Sequence, residues 1–120
     1  MRTEIARDFR FESAHLLPHV PEGHKCRRLH GHSFRVTVVV AGDVDPHVGW
    51  IVDFGTIDRA WAPLGELLDH RHLNDVAGLE NPTSENIARF ILERIAVPGA
   101  RVQSVTVHET CTARCTVHAD

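Results

Sequence analysis

The chain has 120 residues, enough for one domain with a single core; a folded chain of this size buries roughly two-thirds of the surface its unfolded form exposes and needs no disulfide staples. Hydrophobic residues at 42% and charged residues at 24% exclude intrinsic disorder and collagen-like repeats, and no apolar run approaches the length a bilayer demands. A net charge of −3 disfavours general nucleic-acid binding.

The chain opens on alternation. Ile5, Phe9, Phe11, Ser13 and His15 share one parity and polar residues share the other, with Arg7 as the one break, so a half-buried strand is expected. Leu16 to Leu29 carries Pro18, Pro21 and Gly23 and reads as a long loop. A second strand follows. His30, His32, Phe34, Val36, Val38 and Val40 are in phase, which sends both histidines to the face of the core valines. Trp50 to Phe54 reads as a short extension of sheet.

Ile57, Ala60, Trp61, Leu64, Leu67 and Leu68 then fall at helical spacing, with Thr56 as the expected N-cap and a kink or break at Pro63. A loop from Asp69 to Pro82 leads to a second helix capped by Thr83, with Glu85 in its first turn and Ile87, Phe90, Ile91 and Ile95 as its apolar stripe. Pro98-Gly99 closes it. Val105, Val107 and Glu109 alternate on a third strand, and Cys115 to His118 forms a fourth. The order ββααββ in one domain predicts an α+β fold, with both helices on one face of a four-stranded antiparallel sheet. Such a sheet leaves two edges for pairing with other subunits.

Histidine occurs 10 times, and it is the commonest metal ligand. In His30-Gly31-His32 the two imidazoles project to one side of a strand, and His15 ends the preceding strand on its core side. Three neutral histidines with one coordination place left open is the arrangement of a catalytic zinc. In isolation a His-x-His pair is also compatible with two unrelated polar residues. A rival set is His108, Cys111, Cys115 and His118, four ligands spaced H-x2-C-x3-C-x2-H, which would make a closed structural zinc.

Cys26 lies among Lys25, Arg27 and Arg28, and neighbouring cations favour the thiolate, the reactive form of the side chain. An ordinary loop cysteine beside a solvated basic patch fits the same tetrapeptide. Asp69-His70 carries the two residue types of an orienting carboxylate and its imidazole, although Asp69 at a helix end is equally suited to closing it. Glu109 continues an apolar parity, where a carboxylate is costly unless paired or awaiting a ligand. Its two oxygens suit two parallel N–H donors on a heterocycle edge, or one of 12 arginines. The three cysteines are an odd number, and Glu4, Asp8 and Glu12 do not fit a secretory h-region, so a reduced cytoplasmic setting is expected.

Five motifs in register then resemble a known family. Val20-Pro-Glu-Gly-His-Lys-Cys26, Leu29-His-Gly-His-Ser-Phe34, Asp69-His70 with Leu73-Asn-Asp75, Gly78-Leu-Glu-Asn-Pro-Thr-Ser-Glu85 and Glu109-Thr-Cys-Thr112 resemble the 6-pyruvoyltetrahydropterin synthase superfamily. The spacing C-x3-H-G-H is similar to its bacterial branch, the 6-carboxytetrahydropterin synthases of queuosine biosynthesis.

The resemblance implies a T-fold (tunnelling fold) and a zinc-dependent lyase acting on 7,8-dihydroneopterin 3′-triphosphate and water, with 6-carboxytetrahydropterin, acetaldehyde and triphosphate as products. It implies zinc on His15, His30 and His32, and Cys26 as proton acceptor. Asp69 and His70 would form a relay, with Glu109 sharing it or anchoring the pterin beside Thr110. The subunits would assemble edge to edge, commonly as homohexamers of two trimers with sites between subunits, where Thr83, Ser84 and Glu85 reach a neighbour's pterin. Lys25, Arg27 and Arg28 are the nearest cations for the triphosphate. Two departures from the family pattern are Arg27 after the cysteine and a last strand without tyrosine. A pyruvoyl-type synthase and a non-catalytic pterin- or metal-binding module remain as alternatives.

Overall fold

A computed structural model describes all residues from Met1 to Asp120. Its elements follow the expected order: β1 (Thr3–His15), β2 (His30–Gly42), α1 (Phe54–Leu68), α2 (Ser84–Arg94), β3 (Arg101–His108) and β4 (Arg114–His118). The four strands form one antiparallel sheet in sequence order.

The strand parities hold. On β1, Phe11, Ser13 and His15 are buried, and on β2 Phe34, Val36, Val38 and Val40 are wholly so. The register pairs Phe11 with Phe34, Ser13 with His32 and His15 with His30. β2 pairs with β3 only from Arg35 onward, because β3 stops at His108. The first five residues of β2 therefore extend past β3, and that overhang carries both its histidines.

The helices cover the valine face. From α1, Ile57, Trp61, Leu64 and Leu68 join the core, and from α2 Ile87, Ala88, Phe90 and Ile91 do so. Trp61 stacks on Phe9 and Phe11 on Phe34, each with ring centroids 4.8 Å apart. Thr83 caps α2 as expected, its hydroxyl accepting from the Asn86 N–H at 3.1 Å.

Three local expectations are corrected. Trp50 to Phe54 is not strand; the segment is irregular and Phe54 already starts α1. The cap of α1 is Asp53, not Thr56, its carboxylate accepting from the Gly55 N–H at 3.0 Å, so the helix starts a turn earlier than the apolar stripe suggested. Finally, α1 runs through Pro63 without a break. Proline removes one backbone donor, but Trp61 and Leu64 on either side are anchored in the core.

Candidate active site

The site begins in the backbone around His15, His30 and His32. His15 ends β1 fully buried. Just beyond it, the Asn74 side chain accepts from the Leu16 N–H at 3.0 Å and donates to the Leu16 carbonyl at 2.9 Å, so the chain leaves the strand in one direction. Through Nδ1, His15 donates to the Pro82 carbonyl at 2.8 Å, and His30 donates to the Arg28 carbonyl at 2.7 Å. A carbonyl can only accept, so each of these rings carries its proton on Nδ1 and its lone pair on Nε2. Outer hydrogen bonds of this kind orient metal-binding histidines.

The three rings meet with centroids 4.6, 5.2 and 4.9 Å apart. The ligand atoms of His15, His30, His32 and Glu109 all lie within 4.8 Å of one another, and no other His, Cys, Asp or Glu side chains converge this way. Burial is the chief reason that the His15 and His32 imidazoles are held below the ordinary value of 6.5, with His30 adding to it; the Glu109 carboxylate opposes it. Both rings are therefore neutral near pH 7, as metal ligands must be. Their Nε2 atoms are buried and make no hydrogen bond. Buried polar atoms without partners are rare in folded proteins. Two of them aimed at one point, beside a third imidazole and a carboxylate, suit a borderline divalent ion with nitrogen and oxygen ligands.

Glu109 departs from the expectation of a coordination place left open. It stands one residue past β3 in the connection to β4, where its N–H donates to the Ala113 carbonyl at 3.1 Å. Its Oε1 lies 3.3 Å from His15 Nε2 and 3.1 Å from His32 Nε2, while its Oε2 accepts from the Ser84 hydroxyl at 3.0 Å. Thr110 beside it accepts from the Ala113 N–H at 3.0 Å and steadies that turn.

Cys26 comes from the long loop. A short 3₁₀ turn over Lys25–Arg27 begins where His24 accepts from the Cys26 N–H at 3.1 Å, and the Leu17 N–H donates to the Cys26 carbonyl at 2.7 Å. These bonds tie both ends of the loop together. Lys25, Cys26, His30, Gly31, His32, Glu109 and Thr110 line a cavity of about 420 Å³, within the range that holds a small organic molecule. Arg27 lies outside it, its guanidinium donating to the Val20 carbonyl at 2.9 Å. Thr83 is taken up by its cap, and Glu85 lies in the first turn of α2.

Asp69 and His70 touch each other but do not line that cavity. His70 Nδ1 is 2.8 Å from Asp69 Oδ2. Asp69 Oδ1 accepts from the Glu12 N–H at 2.8 Å, and the His70 N–H donates to the Glu12 carbonyl at 2.6 Å, so the pair is clamped to the outer edge of β1. The Glu12 N–H and then His70 hold the Asp69 carboxyl below its ordinary value. The His70 side chain is 79% exposed.

The rival set does not assemble. His108 and His118 lie on the polar face of the sheet while Cys115 faces the helices, because neighbours on a strand alternate. His108 is engaged with Arg35 at 3.2 Å. Sequence reading missed Asn74 and the carbonyls of Arg28 and Pro82 as positioning groups; a backbone carbonyl leaves no trace in residue type.

Comparison with known proteins shows the family and the fold. The family model for 6-pyruvoyl tetrahydropterin synthase matches residues 4–120. The chain belongs to that family. It is 50% identical over 117 residues to the 6-carboxy-5,6,7,8-tetrahydropterin synthase of Synechocystis, covering 91% of this chain and 88% of the relative. It is 36% identical over 95 residues to the dihydroneopterin monophosphate aldolase of Pyrococcus furiosus, covering 79% and 76%. The 6-pyruvoyl tetrahydropterin synthase structure from Caenorhabditis elegans superposes with a TM-score of 0.87 over 100% of this chain and 97% of that one, at 24% identity. The architecture is thus the T-fold of this family.

Proposed function

We propose that the protein is a zinc-dependent 6-carboxytetrahydropterin synthase of queuosine biosynthesis. On this reading it converts 7,8-dihydroneopterin 3′-triphosphate and water to 6-carboxytetrahydropterin, acetaldehyde and triphosphate. Membership of a pterin-processing family supports the substrate class, and the 50% identity to the Synechocystis synthase supports the branch. The single observation that carries the chemistry is the Cys26-lined cavity opening onto His30 and His32, with the buried His15 converging behind them.

His15, His30 and His32 would hold zinc, which as a Lewis acid polarises the hydroxylated side chain of the substrate. The Glu109 carboxylate, with Ser84 on its other oxygen, accepts the N–H donors on the edge of the pterin, and Thr110 lies beside it. Cys26, on the cavity wall, accepts the proton released from the polarised side chain. Lys25, on the same wall, is the nearest cation for the triphosphate; Arg27 lies outside the cavity and would have to give up its bond to the Val20 carbonyl to reach it.

Asp69 and His70 supply the second proton relay. Their exposure on the outer edge of β1, away from their own cavity, supports an assembly in which this dyad serves a neighbouring protomer, on this reading a homohexamer of two trimers. Ser84 stays with its own Glu109 and Thr83 with its cap. No helix is long and apolar enough to cross a membrane, and we place the protein in the cytoplasm.

Product analysis tests this reading. Wild-type protein given dihydroneopterin triphosphate should release acetaldehyde and triphosphate, and Cys26→Ala should lose at least a hundredfold in turnover. A pyruvoyl product, an aldol cleavage without acetaldehyde, or undiminished turnover by Cys26→Ala would overturn it.

A further inference from the structure

The two oxygens of Glu109 face different partners. Oε2 is held by the Ser84 hydroxyl, while Oε1 lies 3.3 and 3.1 Å from two imidazole nitrogens with which it makes no hydrogen bond. On His15 the proton sits on Nδ1, against the Pro82 carbonyl, so a nitrogen lone pair faces the oxygen lone pairs of the carboxylate. Lone pairs confronting one another at this distance repel. A cation between them reverses the sign.

Two of the donor spacings fit a tetrahedral divalent ion such as zinc. Four nitrogen and oxygen donors at ~2.0–2.1 Å around a tetrahedral zinc stand about 3.3–3.4 Å from one another. Oε1 of Glu109 meets two of the three imidazoles at close to that separation. With Oε2 fixed by Ser84, the free oxygen of the carboxylate is turned inward to the imidazole nitrogens and not outward to the cavity mouth alone.

We propose that Glu109 is a fourth metal ligand in the substrate-free enzyme, and that binding of the pterin edge draws its carboxylate off the metal, surrendering that coordination place to the substrate's side chain. This rests on the assignment of Glu109 as pterin acceptor. It adds that one residue links recognition of the heterocycle to opening of the metal. Ser84 keeps Oε2 within reach of both positions. The closed form protects the metal from stray ligands, and compounds without a pterin-like pair of N–H donors do not open it.

The test reads the metal rather than turnover. Zinc affinity is measured by chelator competition for wild type, Glu109→Gln and Glu109→Asp, with circular dichroism to verify folding. Both variants should bind zinc at least tenfold more weakly, since aspartate keeps the charge but is one methylene too short to reach. Visible spectra of cobalt-loaded protein are then recorded with and without unsubstituted pterin, which has no hydroxylated side chain of its own. Pterin should shift the cobalt bands of wild type and leave those of Glu109→Gln unmoved.

Wild-type affinity in Glu109→Gln, wild-type affinity in Glu109→Asp, or a wild-type cobalt spectrum indifferent to bound pterin would each overturn the proposal. The wild-type spectra decide the matter even if a variant fails to fold. Acetaldehyde release by a protein that fails this test would leave the synthase reading standing and remove only the switch.

Discussion

His70 has a backbone φ of +55°, in the left-handed region that side chains other than glycine rarely occupy. Such a conformation costs of order 1–3 kcal/mol and persists only where its surroundings enforce it. Here the enforcement is visible. The Asp69 carboxylate and the His70 N–H both bind the backbone of Glu12, and Asp69 also holds the His70 ring. Strain of this kind at an exposed side chain suits a residue kept for chemistry. His70→Gly relieves the strain, loses the ring's bond to Asp69 and adds about 0.5–1 kcal/mol of unfolded-state freedom, so urea unfolding should place its stability within about 1 kcal/mol of wild type. Its turnover should nevertheless fall at least a hundredfold, and co-assembly with Cys26→Ala subunits should restore part of it. A stability loss beyond 3 kcal/mol, or no recovery on co-assembly, would refute the assignment. Much of this was legible as residue type, since Asp69-His70 stands in the sequence as a carboxylate beside an imidazole. The placement was not, because which edge a turn is pinned to depends on bonds to Glu12, a residue 57 positions earlier.

At the scale of elements, parity and periodicity carried furthest. The alternation in β1 and β2 already sets His15, His30 and His32 on the core side, and the register then puts His15 opposite His30. The inward turn of Glu109 was only half legible: its parity was clear, but its reach depends on the β3–β4 connection and on Ser84 from α2. α1 shows where local rules lose to packing. Its N-cap lies three residues ahead of Thr56, because Asp53 accepts from the Gly55 N–H, and Pro63 is tolerated in its interior. Gly65 gives a sharper test. In an ordinary helix interior, Gly→Ala gains about 1 kcal/mol. A Cβ on Gly65, however, would lie 2.7 Å from Trp61 Nε1, and Trp61 is stacked on Phe9. Gly65→Ala should therefore destabilise by about 1–3 kcal/mol, the usual cost of overpacking a filled core. Stabilisation in urea unfolding would show that the indole moves aside freely.

The whole molecule is elongated, measuring 57 × 25 × 23 Å with a radius of gyration of 15.6 Å. A compact chain of this length would have a radius of gyration of about 14 Å. The two 13-residue strands cause the difference, since they outrun the helices packed on them. Segment 68–72 covers the outer side of β1 only near Glu12 to Ala14, through its bonds to Glu12, Ser13 and Ala14. The remainder of β1 and the outer edge of β4 offer unpaired backbone groups suited to strand-to-strand association. The sequence could show that edges exist in a four-stranded sheet; the lengths that leave them uncovered emerge only from the register.

The proposed chemistry depends on one divalent ion at the end of the β1–β2 pair, where His15, His30, His32 and Glu109 could hold it. Metal content after exhaustive dialysis addresses that directly. About one zinc per chain is expected in wild type and in the double variant Cys111→Ser/Cys115→Ser, with near-complete loss in His30→Ala. Zinc retained by His30→Ala, or lost on replacing the two cysteines, would contradict it.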